Sequence, residues 1–161
     1  MKQTNLEPLF TTLTEVQKTF PEVIIAGSLS LILQGYELDR EVGDLDLLLP
    51  TVSNSRTGHM NIRELLLQHP DSDHRSMDHF QGGKILGVNV DIRPVPISHP
   101  FNILRRTDIN LLFKVNRIEE VLKYKIRYST GVMGIKHLED ILFLVTSNKK
   151  SILQRINELE L

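Results

Sequence analysis

The sequence contains no cysteine, which excludes disulfide staples, thiolate metal sites and thiol nucleophiles together. It also lacks an excess of either charge. Nineteen Lys and Arg stand against twenty Asp and Glu, a formal net of −1, so no global field recruits nucleic acid or a membrane. No apolar run approaches the roughly 20 residues of a membrane-spanning helix. The opening MKQTNLEPLF is too polar for a secretory signal. Repeats, low-complexity tracts and Pro/Ser-rich linkers are missing as well. What is present is ordinary: 161 residues, 40% hydrophobic and 24% charged, enough for one core. The expectation is a soluble cytoplasmic protein with one domain over 1–161.

The balanced total hides an asymmetry. Residues 1–50 carry a net of −5 and residues 101–161 a net of +4, with seven basic side chains between Arg105 and Arg127. Two halves of opposite sign could hold a metal-bound polyphosphate between them; they could equally be two solvated faces.

Apolar residues at helical spacing predict a helix over 5–19, stopped by Pro21. Val23-Ile24-Ile25-Ala26 reads as a buried strand, and Gly27-Ser28 leads at once into a short helix that ends at Gly35. A second strand is expected over 44–49, a polar loop over 51–59, and a helix through Ile62 and Leu66 up to His69. Gln81-Gly82-Gly83 has hairpin chemistry between extended segments near 74–80 and 84–93. A strand near 111–115 follows, then a helix with Asn116 as cap and Glu119 three residues on, then helices over 136–147 and from 151. The expected fold is α+β: a small mixed sheet, with its core over about 20–95, and C-terminal helices over about 116–161.

Three features bear on chemistry. Gly27 lets the backbone approach an anion, and Ser28 can cap the helix or donate to a phosphate oxygen. A plain strand–turn–helix junction would look the same. Asp44 and Asp46, two apart on a strand, share a sheet face while Leu45 and Leu47 point into the core. Two carboxylates so placed need compensation, and a magnesium ion supplies it unless the face is simply solvated. Asp91, in the alternating Val88-Asn89-Val90-Asp91-Ile92, would make a third acid if its strand lies beside Asp44-Leu45-Asp46; otherwise it is a solvent-facing acid.

Together these residues resemble the DNA polymerase beta-like nucleotidyltransferase superfamily. A Gly-Ser turn, an Asp-x-Asp pair after a short helix and loop, and a later strand acid make up its pattern. Arg40 matches an arginine common in small bacterial members, whereas Val42 departs from the threonine or serine often found there. The segments 119–126 and 136–141 are similar to two helical segments of the same group, and the likeness spans most of residues 20–145. The resemblance implies Mg²⁺ or Mn²⁺ on Asp44, Asp46 and Asp91, with Asp91 as an alternative general base. It also implies a nucleoside triphosphate seated by Gly27, Ser28 and Arg40, with Lys125, and Lys136 beside it, toward the phosphates. A nucleoside monophosphate would then pass to an acceptor hydroxyl on a small molecule, RNA or protein. A catalytically quiet binder and a toxin–antitoxin component acting on RNA are the alternatives, and a homodimer is one way to complete the acceptor site.

Other polar residues carry less. Asp71, Asp73, His74, Asp78 and His79 lack the apolar framing that fixes ligand geometry, and His59, His69, His99 and His137 show no ligand spacing. Ser28 has no hydrolase-type context.

Overall fold

The computed structural model describes residues 4–52, 55–69, 73–77, 79–106, 111–131 and 134–159. Helix α1 (Leu6–Gln17) starts where the Asn5 side chain accepts the Glu7 N–H, and buries Leu9, Thr12, Leu13 and Val16. Strand β1 (Ile24–Ile25) runs into α2 (Gly27–Leu33), and β2 (Leu45–Thr51) follows. After α3 (Ser55–Leu67) come β3 (Arg75–Ser76), β4 (Gln81–Ile85), β5 (Val88–Pro96), β6 (Phe101–Arg106) and β7 (Leu111–Asn116). Three helices close the described chain: α4 (Ile118–Arg127), α5 (Gly134–Ser147) and α6 (Lys149–Glu158).

Among the described residues the strands form one seven-stranded mixed sheet, ordered β3-β4-β5-β2-β1-β7-β6. The β2–β5 and β1–β7 pairs are parallel and the other pairs antiparallel. Alternation sets the two faces. Leu45, Leu47 and Leu49 of β2 and Val88, Val90 and Ile92 of β5 enter the main core, with Leu9, Leu13 and Val16 of α1 and Ile62, Leu65 and Leu66 of α3. Burying aliphatic side chains of this size is worth roughly 1.5–3 kcal/mol each. Thr12 ties the layers together by donating its hydroxyl to the Ile85 carbonyl at 3.0 Å. The opposite face carries a smaller cluster, Ile24, Ala26, Leu48 and Val95 with Phe101 against it. Asp46, Asp91 and Arg93 lie on this face too and are only partly covered.

The α+β expectation holds, with local corrections. The hairpin turns at Leu86-Gly87, not at Gln81-Gly82-Gly83: both turn residues have positive φ (52° and 80°) and Ile85 pairs with Val88, the arrangement a two-residue type I′ connection needs. Gln81, Gly82 and Gly83 are β4 residues. Asn116 does not cap α4. It ends β7, buried, with its Oδ1 bonded to His99 Nε2 at 2.9 Å, and Arg117 is the cap residue. Helix α3 takes up half of the expected 51–59 loop. The sheet also runs beyond residue 95, because β6 and β7 form a hairpin on its other edge.

Candidate active site

The site is built on one row across the sheet. Asp46 lies in register with Asp91 on the parallel neighbour β5, Asp91 with Gly82 on β4, and Gly82 with Arg75 on β3. Asp46 and Asp91 therefore stand side by side on the same face. Arg75 reaches over the glycine, and its Nη2 sits 3.2 Å from Asp91 Oδ1. A Cβ on Gly82 would lie 2.5 Å from that oxygen and 2.9 Å from Arg75 Nη2. Only glycine leaves room for the pair.

On the other side of Asp46 the backbone makes a second close approach. Ala26 N–H donates to the Asp46 carbonyl at 2.8 Å. Gly27 follows with φ +58°, and a Cβ there would stand 2.2 Å from Asp46 Oδ2. The Gly-Ser turn thus serves the aspartate directly: glycine is needed both for its left-handed backbone and for the carboxylate against it.

Crowding sets the electrostatics. Burial, then the neighbouring charges of Asp91 and Asp44, push Asp46 from the ordinary 3.8 up to about 6, against the pull of Lys125 and Lys136. Burial raises Asp91 too, with Arg75 opposing. Asp44 is exposed just ahead of β2 and accepts from Asn89 Nδ2 at 3.4 Å.

Behind Ser28 lies a buried ion network. Lys125, 4% exposed, donates from Nζ to Asp140 Oδ2 at 2.8 Å. Arg40 Nη2 lies 3.0 Å from the same oxygen and 3.2 Å from Ser28 Oγ. Burial alone would raise Asp140, but hydrogen bonds from Arg40 and Lys125 outweigh it and hold the carboxyl below its ordinary value. The resemblance pointed Lys125 at the phosphates; in the structure its ammonium is held by Asp140. Lys136 of α5 is partly exposed and forms no ion pair among the described residues.

The sequence reading missed several residues. Asp140, Arg75, Asn89 and Arg93 were not singled out. Arg93 lies over the Tyr124 ring at 4.8 Å. Tyr124 belongs to an aromatic wall. His79 stacks on Tyr128 at 4.6 Å and 14°, and His79 Nε2 lies 3.3 Å from Tyr124 Oη. Burial raises the Tyr124 hydroxyl to about 12, and Asp46 and Asp91 act on it in the same direction. Of the loop cluster, Asp71 and Asp78 lie outside the described residues. His74 instead bonds Gln81 Oε1 at 2.8 Å. Within the basic segment Lys114 pairs with Glu22, Lys123 with Glu120 and Lys125 with Asp140, while Arg105 and Arg127 are exposed. An open cavity of about 430 Å³ beside Thr51, Val52 and Pro94–Ser98 lies at the far ends of β2 and β5, away from the row.

Among the described residues no three His, Asp or Glu side chains are gathered closely enough to hold a metal ion as they stand. Like charges spread when nothing neutralises them, and here Asn89 and Arg75 hold the outer two acids. The donor set still fits a hard divalent cation. Asp44 and Asp46 offer carboxylate oxygens at the start of β2, and Asp46, raised by burial first and by the charges of Asp91 and Asp44 second, has no cationic side chain paired to it among the described residues.

No protein-family model and no curated protein sequence matches the chain. Solved structures do. ANT(2″)-Ia, in complex with adenylyl-2″-tobramycin, superposes with a TM-score of 0.58 at 14% identity, covering 96% of this chain and 97% of that one. The lincosamide antibiotic adenylyltransferase LnuA, lincomycin-bound, gives 0.57 at 11% identity over 89% and 99%. A candidate nucleotidyltransferase from Thermotoga maritima gives 0.55 at 15% identity over 97% and 96%. The chain has the nucleotidyltransferase fold. No helix among the described residues is long and apolar enough to cross a membrane.

Proposed function

We propose that the protein is a metal-dependent nucleotidyltransferase. It would move a nucleoside monophosphate, adenylate first among them, from a nucleoside triphosphate to a hydroxyl of a small molecule. The observation that carries this reading is the side-by-side register of Asp46 and Asp91, with Gly27 cleared of a side chain against Asp46. Two structural neighbours supply the reaction class: LnuA is an antibiotic adenylyltransferase, and ANT(2″)-Ia was captured with an adenylylated aminoglycoside.

In this reading Asp44 and Asp46 hold Mg²⁺ or Mn²⁺. A bound divalent cation supplies charge neutralisation at the transferring phosphoryl group and polarises its oxygens. The chain's own residues do the rest. Gly27 keeps the backbone low where the triphosphate enters, and Ser28, its hydroxyl fixed by Arg40, donates to a phosphate oxygen. Lys136 offsets charge on the departing pyrophosphate, the task the resemblance gave to Lys125. Lys125 and Arg40 instead keep Asp140 ionised and the floor of the site rigid. Asp91, raised by burial, is the proton acceptor for the incoming hydroxyl. Positioning and electrostatics suffice, without a covalent enzyme intermediate. The wall of His79, Tyr124 and Tyr128 is suited to a sugar or ring-bearing acceptor.

One observation favours a second reading, a catalytically quiet binder: Asp91 is engaged by Arg75. Both are tested by incubating α-labelled ATP, GTP, CTP and UTP with Mg²⁺ or Mn²⁺ and a panel of hydroxylated small molecules. Metal-dependent label on an acceptor, lost in Asp46→Asn, supports the enzyme; nucleotide binding with little metal dependence and no transfer supports the binder.

A further inference from the structure

Arg93 is a half-buried charge without a counter-charge. It follows Asp91 by two residues on β5, so the two share the site face, roughly 6.5–7 Å apart at the backbone. Asp91 is paired with Arg75 instead. The Arg93 guanidinium lies over the Tyr124 ring, 4.8 Å from its centroid, and has neither an ion pair nor a hydrogen-bond acceptor among the described residues. Its nitrogens nevertheless reach the surface, since none of them is both buried and unbonded. Burial holds Arg93 below its ordinary value, with Tyr124 and Tyr128 pulling it up and Arg127 pushing it down. A planar guanidinium with one face on an aromatic ring still offers its N–H edge as a fork for an oxyanion.

The surroundings indicate what carries that oxyanion. Tyr124 and Tyr128 lie 4.6 Å apart, and His79 stacks on Tyr128. Arg127, exposed and also without an ion pair among the described residues, stands 5.7 Å from the Tyr128 centroid. Ring faces favour a ring, and two unpaired guanidiniums favour an anion over a cation. Position assigns the role. In the sheet β5 flanks β2 on the side away from β1, so Arg93 and the Gly27-Ser28 turn lie on opposite sides of Asp46. The turn seats the donor's phosphates in the proposed reaction, which leaves the Asp91 side for the acceptor.

We propose that Arg93 is the anion-binding residue of the acceptor subsite, and that the acceptor is a small ring-bearing alcohol carrying a phosphate or carboxylate. The anion sits on Arg93 while the hydroxyl meets Asp91. Their separation along β5 matches the breadth of one substituted six-membered ring. The acceptor role rests on the reading of Asp91 as proton acceptor; the preference for an anion does not.

The experiment keeps these apart. Glucose, glucosamine, glucuronate and glucose 6-phosphate share a hydroxylated ring and differ in charge. Each is titrated by saturation-transfer NMR without nucleotide or metal. At least one of the two anions should bind about 10-fold more tightly than glucose, and glucosamine more weakly. The two anions distinguish a carboxylate site from a phosphate site. Arg93→Gln should remove the preference, Arg93→Lys should keep part of it, and Lys150→Gln, exposed on α6, should leave it intact. No preference for either anion overturns the proposal. So does a preference that persists in Arg93→Gln, even with a lowered melting temperature, because Arg93 is then a packing residue. Displacement of the anionic sugar by ATP with Mg²⁺ puts the anion in the donor's site and overturns the acceptor role. In transfer assays Arg93→Gln should raise KM for the anionic sugar about 10-fold and leave KM for ATP unchanged. Label passing to an RNA end in preference to the anionic sugars overturns the small-molecule assignment. Absence of any transfer counts against the enzyme and leaves the anion preference to the binding result.

Discussion

Arg75 and Asp91, two strands apart, meet over Gly82: the guanidinium Nη2 and carboxylate Oδ1 are 3.2 Å apart because the residue between them in register has no side chain. One acid of the row thus has a cationic partner built into the sheet, and Asp46 beside it has none among the described residues. The site is asymmetric by construction.

That asymmetry predicts the behaviour of Arg75→Ala. Half-exposed pairs contribute at most about 1 kcal/mol, so stability should barely change. Asp91 loses the charge that opposes its upward shift and gains freedom to turn toward Asp46. Mn²⁺ should therefore bind more tightly, or in greater stoichiometry, than to wild type. Paramagnetic-resonance titration of free Mn²⁺ measures both; equal binding would refute a restraining role for Arg75.

Asp46→Asn should stabilise the metal-free protein. The native carboxyl is raised from 3.8 to about 6, so ionisation above pH 6 works against folding. The sign is fixed by linkage: the folded state holds the proton more tightly than the unfolded one, and stability falls as pH rises through this window. The gain for Asn at pH 7 is on the order of 1–3 kcal/mol, vanishing near pH 4. Thermal melts of both proteins from pH 4 to 8 measure the difference directly.

Gly27→Ala should damage the site more than the fold. Its φ of +58° costs a residue with a side chain about 1–2 kcal/mol. The new methyl group must also displace Asp46 Oδ2 from 2.2 Å. The expected outcome is a melting temperature lowered by several degrees together with loss of any metal-dependent nucleotide shift. Retention of that shift would separate Gly27 from the carboxylate's function.

Asp140→Asn removes the partner of a nearly fully buried ammonium. Breaking one side of such a pair costs about 3–5 kcal/mol, and Lys125 is the group left stranded. The wild-type pair also sets an acid limb. Because Asp140 is held below 3.8, its contribution is complete above that value and is lost as pH falls through its lower native value. Urea melts near pH 3 and pH 6 should therefore differ for wild type by more than for Asp140→Asn.

How far the sequence foretold this depends on the range of the signal. Asp44-Leu45-Asp46 and Val90-Asp91-Ile92 show by alternation which residues share a face, but whether Asp91 lay beside Asp46 stayed open in the sequence; the parallel register of β2 and β5 puts the two side by side. Gly27 was legible as a turn, but its reason, an aspartate packed against it, is a contact across the sheet. The same holds for Gly82, which was read as hairpin chemistry because glycine in sequence does not say whether it turns or makes room. Asn116 was read as a cap because its spacing to Glu119 fits; burial beside His99 claimed the side chain first. The Lys125–Asp140–Arg40 network joins three segments, and no local pattern could pair them. β6 lacks clear alternation and was not anticipated; its pairing with β7 is a long-range contact that only the structure shows.

The central claim is that Asp46 anchors a metal-dependent nucleotide site. A thermal-shift titration of the wild type and Asp46→Asn with each of the four nucleoside triphosphates, with and without Mg²⁺ or Mn²⁺, tests it most directly. At about 100 times its dissociation constant a ligand adds roughly 2.7 kcal/mol, several degrees for a domain of this size. The account predicts a shift for at least one nucleotide that needs the metal and disappears in Asp46→Asn. A shift that survives the substitution, or no shift with any nucleotide, would contradict it.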